Sequence, residues 1–142
     1  ILMNWTPIVA VSLDDVELHE DPIDPDWIHD GTPVARSGQW STGSDLTTTT
    51  HVWDCTAGRF TWHFGADEIV HIVEGSVIVS SDDADPRILR AGDAALFRAG
   101  TSALWEVPEY VRKHAILHRV MPAPLIFGFR VAGKLRSLVR RG

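Results

Sequence analysis

GRFTWHFGADEIVHIVEG, residues 58–75, is the stretch whose reading decides the fold. Arg59–Phe64 and Glu68–Val73 alternate and are rich in aromatic and β-branched residues, the pattern of half-buried strands. Between them Gly65-Ala66-Asp67 is a tight turn, so the two runs read as a hairpin. Side chains alternate across a strand, so Glu68 shares a face with Val70 and Ile72, and His71 takes the other. An acid on an apolar face is the first sign of a site.

Working outward, the same signals recur on both sides. Leu46–Thr56 (LTTTTHVWDCT) reads as a strand upstream, and Glu68 to Ser80 extends the second run. Downstream, Arg87–Leu89, Ala94–Phe97, Ala103–Val107 and Val111–Val120 are strands separated by turns at 81–86, 91–93 and 99–101. Leu125–Val131 reads as a last strand. Short strands with turns at regular intervals and no convincing helix periodicity before the tail describe an all-β antiparallel sandwich or barrel. Near the start, Ile8–Val11 reads as an edge strand and Val34–Ser44 as a loop. EDPIDPDWIHDGTP, residues 20–33, is too rich in proline and aspartate for helix or central strand. It reads as an extended arm pinned by Ile23, Trp27 and Ile28, either to its own barrel or to a neighbouring subunit. Three segments result: an N-terminal arm and edge segment (1–45), a barrel core (46–131) and a basic C-terminal tail (132–142), GKLRSLVRRG being a candidate amphipathic helix. Met3 is a candidate native start.

Composition narrows the function classes. At 142 residues, 44% hydrophobic and 23% charged, the chain fits one soluble domain with a sizeable core. No run approaches a membrane span. The single cysteine, Cys55, excludes an internal disulfide and suits a reducing, cytoplasmic setting. The net charge of −6 is unevenly spread: eight of nineteen acids fall between Asp14 and Asp30, and five of thirteen basic residues between Arg130 and Arg141. An acidic body without a basic patch is a poor nucleic-acid binder. The tail is read as a helix packing Leu135, Leu138 and Val139 on the domain, with a phosphate or membrane-surface role as the alternative.

These signals resemble the cupin superfamily, whose members are single jelly-roll (RmlC-like) barrels. The first cupin motif carries two histidines, a glutamate and a closing glycine, and Glu68 and Gly75 have that spacing. The skeleton of the second is matched by Gly92-Asp93 and Arg98-Ala99-Gly100, with Arg98 in place of a proline. More narrowly, Phe60-Thr61-Trp62, Glu68, Leu104-Trp105-Glu106-Val107 and Val111-Arg112-Lys113 resemble the branch of ureidoglycine aminohydrolase and the ethanolamine-utilisation cupins. The resemblance spans roughly residues 50–120.

For the site, the resemblance and the residues give two competing arrangements. Cupin metal centres use three histidines and a glutamate. Here Glu68 stands at the glutamate; one alignment sets His63 and Thr61 at the histidine positions and another sets Phe64 and Trp62 there, while Ala103 replaces the later histidine. A rebuilt centre would need His63, Glu68 and His114 or His118. The other arrangement is an organic pocket in which Trp62, His63 and Trp105 hold a ligand beside Glu68. A buried carboxylate needs a compensating donor, and Lys113 is the candidate. Lys113 and His114/His118 lie on opposite faces of one strand, so only one arrangement can point inward. The resemblance thus implies a small-molecule-binding barrel, with Glu68 as general acid or base beside Lys113 and a small nitrogen-containing or carboxylate metabolite as ligand. A non-catalytic accessory barrel and a metal-dependent oxygenase or isomerase are the alternatives. No resident cofactor is expected, a divalent transition metal being the exception to test. A homodimer is expected, with neither nucleic acid nor membrane as partner.

Overall fold

The computed structural model of the protein describes residues 6–141; Met3 lies outside them. Eight strands form one continuous hydrogen-bonded sheet: β1 (His19–Glu20), β2 (Ile28–Asp30), β3 (Ala35–Thr42), β4 (Thr48–His63), β5 (Asp67–Ser81), β6 (Ala84–Arg90), β7 (Ala94–Phe97) and β8 (Ser102–His118). A helix, α1 (Ala123–Arg141), follows. The expected all-β antiparallel barrel is the observed fold.

Three long strands organise it. β8 lies between β4 and β5 and pairs antiparallel with both along most of its length. On their outer edges, β3 pairs the first half of β4 and β2 the second, while β7 pairs the first half of β5 and β6 the second. All three long strands shift register near their middles, at Thr56/Gly58 on β4 and between Ile72 and Ile78 on β5. Bulges bend a strand and sharpen its twist, so each strand serves both halves of the jelly roll. At the bends glycine is a steric necessity. A Cβ on Gly75, whose φ is +74°, would stand 2.0 Å from the Tyr110 carbonyl oxygen, and one on Gly58 would stand 2.7 Å from the Pro33 ring.

The hairpin expected at residues 58–75 is not made. β4 and β5 are consecutive but unpaired, because β8 occupies the lane between them. The turn closes instead on the 99–101 turn, where Phe64 N–H donates to the Thr101 carbonyl and Gly100 N–H to the Phe64 carbonyl. The Asp67 carboxylate also accepts from the Ala99 N–H at 2.8 Å.

Three other expectations change. Residues 35–42 are strand, not loop. Their small, polar composition hid a ladder with β4, and Gly38 is small because the Glu17 carbonyl oxygen passes 2.2 Å from where its Cβ would be. Ile8–Val11 is unpaired, since β1 already occupies the outer edge of β3. Leu125–Val131 is helix. Its alternating Leu125, Phe127, Phe129 and Val131 imitate a strand, but the segment has no ladder partner. Pro124 in the first turn suits a helix start, and Leu125 N–H donates to the Pro122 carbonyl.

The arm lies on its own barrel. Ile23 is buried, Ile28 pairs with Phe60, and Trp27 packs edge-on against Trp62. Between the arm and β8 a buried carboxylate, Asp54, accepts from Arg36 Nε at 3.0 Å, from Arg36 Nη2, and from the Tyr110 hydroxyl at 2.8 Å. Burial first, and the bond to Asp54 second, push the Tyr110 phenol up to about 12. A phenol that holds its proton more tightly folded than unfolded contributes stability below the unfolded value, roughly pH 10, that is lost as pH rises towards 12. Tyr110 is the sole tyrosine, so phenolate absorbance reads it directly. The midpoint is expected about two units above that of the denatured chain, and lower in Asp54→Asn. A native midpoint equal to the denatured one would refute the coupling.

Candidate functional site

Inward-facing residues of the three long strands form rows across the sheet. In register these are Thr49–Leu117–Glu68, His51–Ala115–Val70 and Trp53–Lys113–Ile72. Glu68 and Lys113 are two rows apart. Only the small Ala115 and the compact Val70 stand between, so the lysine stem reaches along the barrel and its Nζ donates to Glu68 Oε2 at 2.7 Å. Both side chains are more than nine-tenths buried. The inward face of β8 is therefore the lysine face.

The ammonium is enclosed by aromatic rings. Nζ lies 4.4 Å from the Trp53 ring centroid and 4.6 Å from that of Trp105. In a desolvated setting such contacts are each worth up to about 2 kcal/mol. Trp53, Phe60 and Trp105 pack mutually, the Phe60 and Trp105 rings stacked at 6.3 Å and Trp53 meeting each edge-on. Phe97 closes on Trp105 at 5.4 Å and stacks on Phe64 at 4.8 Å. Lys113 thus spends its donors on one carboxylate oxygen and two ring faces. Glu68 keeps its second oxygen: among the described residues no hydrogen bond reaches Oε1. The Nε1 atoms of Trp53 and Trp105 are buried without a hydrogen-bond partner among the described residues, a state that ordinarily costs free energy.

His51, in the middle row, completes this end of the barrel. Burial lowers its pKa; Glu68 opposes that shift and Lys113 reinforces it, so the imidazole senses both members of the pair. It is half-buried and hydrogen-bonded to Thr49 Oγ1 at 2.9 Å. Neither His51 nor Trp53 was singled out by the sequence. Their signal was parity on β4: both share the Cys55 face, and register sets Trp53 opposite Lys113.

The other expected site residues separate. Trp105 is fully buried beside Lys113, whereas Trp62 is half-buried one layer further out, edge-on to Trp53 at 6.1 Å and to Trp27 of the arm at 5.1 Å. His63 is exposed, its ring 5.0 Å from that of Trp27 and its Nδ1 2.6 Å from Ser102 Oγ. His114 and His118 lie on the opposite face of β8 from Lys113. His114 accepts from Trp40 Nε1 at 3.1 Å, its pKa lowered by burial and then by the facing His71. His118 bonds Thr48 Oγ1. His63, Glu68 and His114 or His118 therefore do not converge. No group of three or more His, Cys, Asp or Glu side chains suited to a metal ion occurs among the described residues. The donor set does not fit a cupin metal centre. Burial pushes the Cys55 thiol up to about 12, which leaves it an inert core residue.

Comparison with known proteins agrees with this architecture. Among solved structures, a protein of unknown function of the DUF861 family from Pseudomonas syringae superposes with a TM-score of 0.66 at 24% identity, over 72% of this chain and 45% of that one. The EutQ protein of Clostridium difficile superposes with a TM-score of 0.60 at 16% identity, over 78% and 86%. An ethanolamine utilization protein Q from Salmonella typhimurium gives 0.54 at 21% identity, over 62% and 72%. At these identities the likeness is one of fold. No curated protein matches the chain. A family model described as the EutQ-like cupin domain matches residues 42–115, which begins at the end of β3 and takes in β4 through the lysine of β8. With just over half of the chain inside that match, the protein belongs to the EutQ-like cupin domain family.

Proposed function

We propose that this barrel binds a small donor-bearing organic molecule, an amine or amino alcohol, at the end occupied by Glu68, Lys113 and His51. One observation carries the reading: Glu68 gives one oxygen to Lys113 and keeps Oε1 unbonded, on the face where His51 also points. An ionised carboxylate oxygen is a strong acceptor for an ammonium or hydroxyl, and charge-assisted bonds of this kind are about twice as strong as neutral ones. Lys113 supplies the counter-charge to that carboxylate in an apolar surround. On this reading Glu68 Oε1 is also the atom that exchanges a proton with bound ligand, the general acid or base of any turnover. Resemblance to the ureidoglycine aminohydrolase branch, and likeness to an ethanolamine utilization protein Q, favour a nitrogen-containing metabolite.

A second reading has its own support. Trp53, Phe60, Trp105 and Phe97 fill the space around the pair, as a non-catalytic accessory barrel would require. Ethanolamine discriminates the two. On the binding reading it raises the unfolding temperature in a saturable way and moves the indole N–H resonances of Trp53 and Trp105, with both effects absent in Glu68→Gln. If ethanolamine and a panel of small primary amines at millimolar concentration leave these resonances unmoved, the accessory reading stands and the binding reading falls.

A further inference from the structure

The C-terminal helix is left outside the barrel's economy. Leu125, Phe127, Phe129, Val131, Leu135, Leu138 and Val139 are all exposed, Phe127 at 70% and Val139 at 79%. The packing of Leu135, Leu138 and Val139 on the domain, expected from the sequence, is therefore absent. Of the described apolar side chains longer than alanine on α1, only Ile126 is half-buried. Together with Phe129 and Arg130 it borders an open groove of about 430 Å³ against Asp67, His118, Val120 and Met121. At about 3.6 residues per turn, Leu135 sits diametrically across the helix from Ile126, with Val131 and Leu138 beside it. The apolar face is thus turned away from the body.

Charge is segregated just as sharply. From residue 123 to 141 there are five Lys and Arg and no acid, so the net −6 divides into +5 on the helix and −11 over all other residues. On the helical wheel, Lys134 and Arg136 fall at opposite margins of the sector that holds Val131, Leu135, Leu138 and Val139. Basic residues flanking both margins of a broad apolar face belong to a helix lying in a lipid interface, where the stems follow the apolar face and the charges reach phosphates. Among the described residues no helix is long and apolar enough to cross a membrane.

We propose that α1 docks this protein on an anionic lipid surface. A second copy of the helix is a poor occupant. The apolar sector spans about half of the circumference, far wider than a coiled-coil seam, and pairing would set +5 against +5. The acidic body of another copy supplies the charge, but its exposed apolar residues, such as the paired Ile69 and Leu96, lie on a sheet face and offer Phe127 and Leu135 a surface rather than a depth. An anionic bilayer supplies both, and the −11 of the body orients the barrel away from it. This inference stands on the helix alone and is independent of the reading of Glu68.

The test is co-sedimentation of the full chain with phosphatidylcholine vesicles containing phosphatidylglycerol, and with phosphatidylcholine vesicles alone. Binding is expected only to the anionic vesicles, weakened at least about tenfold on raising salt from low to near molar ionic strength. It should be lost in Leu135→Glu/Leu138→Glu and reduced in Lys134→Glu/Arg136→Glu. All four side chains project from the domain, so the unfolding temperature of the barrel should be unchanged, which verifies folding. Failure to pellet with anionic vesicles overturns the proposal, as does equal binding to both vesicle types. A vesicle-free oligomer that Leu135→Glu/Leu138→Glu converts to monomer also overturns it, by showing that a second copy covers the face.

Discussion

Replacing Lys113 by methionine is expected to destabilise the fold by about 3–5 kcal/mol, the usual cost of removing one partner from a buried ion pair. The methionine matches the stem in volume, so the loss is not mainly one of packing. It comes from leaving the buried Glu68 without its counter-charge, together with the loss of the contacts that the ammonium made to the Trp53 and Trp105 ring faces. The pair itself is a different matter. Taking two ions out of water is costly, and a well-packed apolar replacement is often as stable as the pair. Lys113→Met/Glu68→Leu should therefore recover most of what the single variant loses. Denaturant titration followed by tryptophan fluorescence measures both. A single variant within about 1 kcal/mol of the parent would show that Glu68 reaches water. A double variant as weak as the single one would mean that the charge was not the cause.

Gly75→Ala is expected to be of similar size, on the order of 3–5 kcal/mol, for reasons of geometry alone. Gly75 combines a φ of +74° with a position 2.0 Å from the Tyr110 carbonyl oxygen for any added Cβ. The left-handed conformation alone costs a side chain roughly 1–2 kcal/mol. The clash falls on backbone, which cannot swing aside as a flexible side chain would. Gly100 has a comparable φ of +81° but nothing within 4 Å of its Cβ. Gly100→Ala should thus show the conformational cost without the clash, and the difference between the two midpoints isolates the contact. Equal losses at both glycines would refute the close-approach argument.

The fold was legible because alternation, turn residues and the Glu68–Gly75 spacing point the same way. The structure supplies a physical reason for that spacing: the glycine is where β5 bends against β8. Pairing of Glu68 with Lys113 was legible too, since two residues on inward faces of facing strands must resolve their charges together. Topology was not. Local sequence favours pairing β4 with β5 across the Gly65 turn, and nothing local announces that a strand some forty residues later takes the place between them. His51 and Trp53 were missed for the same reason, because only the register of β4 on β8 sets them beside the pair. The helix was hidden by an accidental alternation, and β3 by the small residues that the crossing chain at Glu17 demands.

The placement of β8 also fixes the order in which the molecule can be assembled. β4 and β5 leave the ribosome before the strand that pairs the facing edge of each, since β8 follows both in the chain. Closing those ladders carries a loop-closure cost that local hairpins avoid. Until β8 threads between them, the barrel has no interior, and the Glu68 carboxylate has no lysine. The ion pair joins two strands whose pairing closes the barrel, so it exists only once that closure is made.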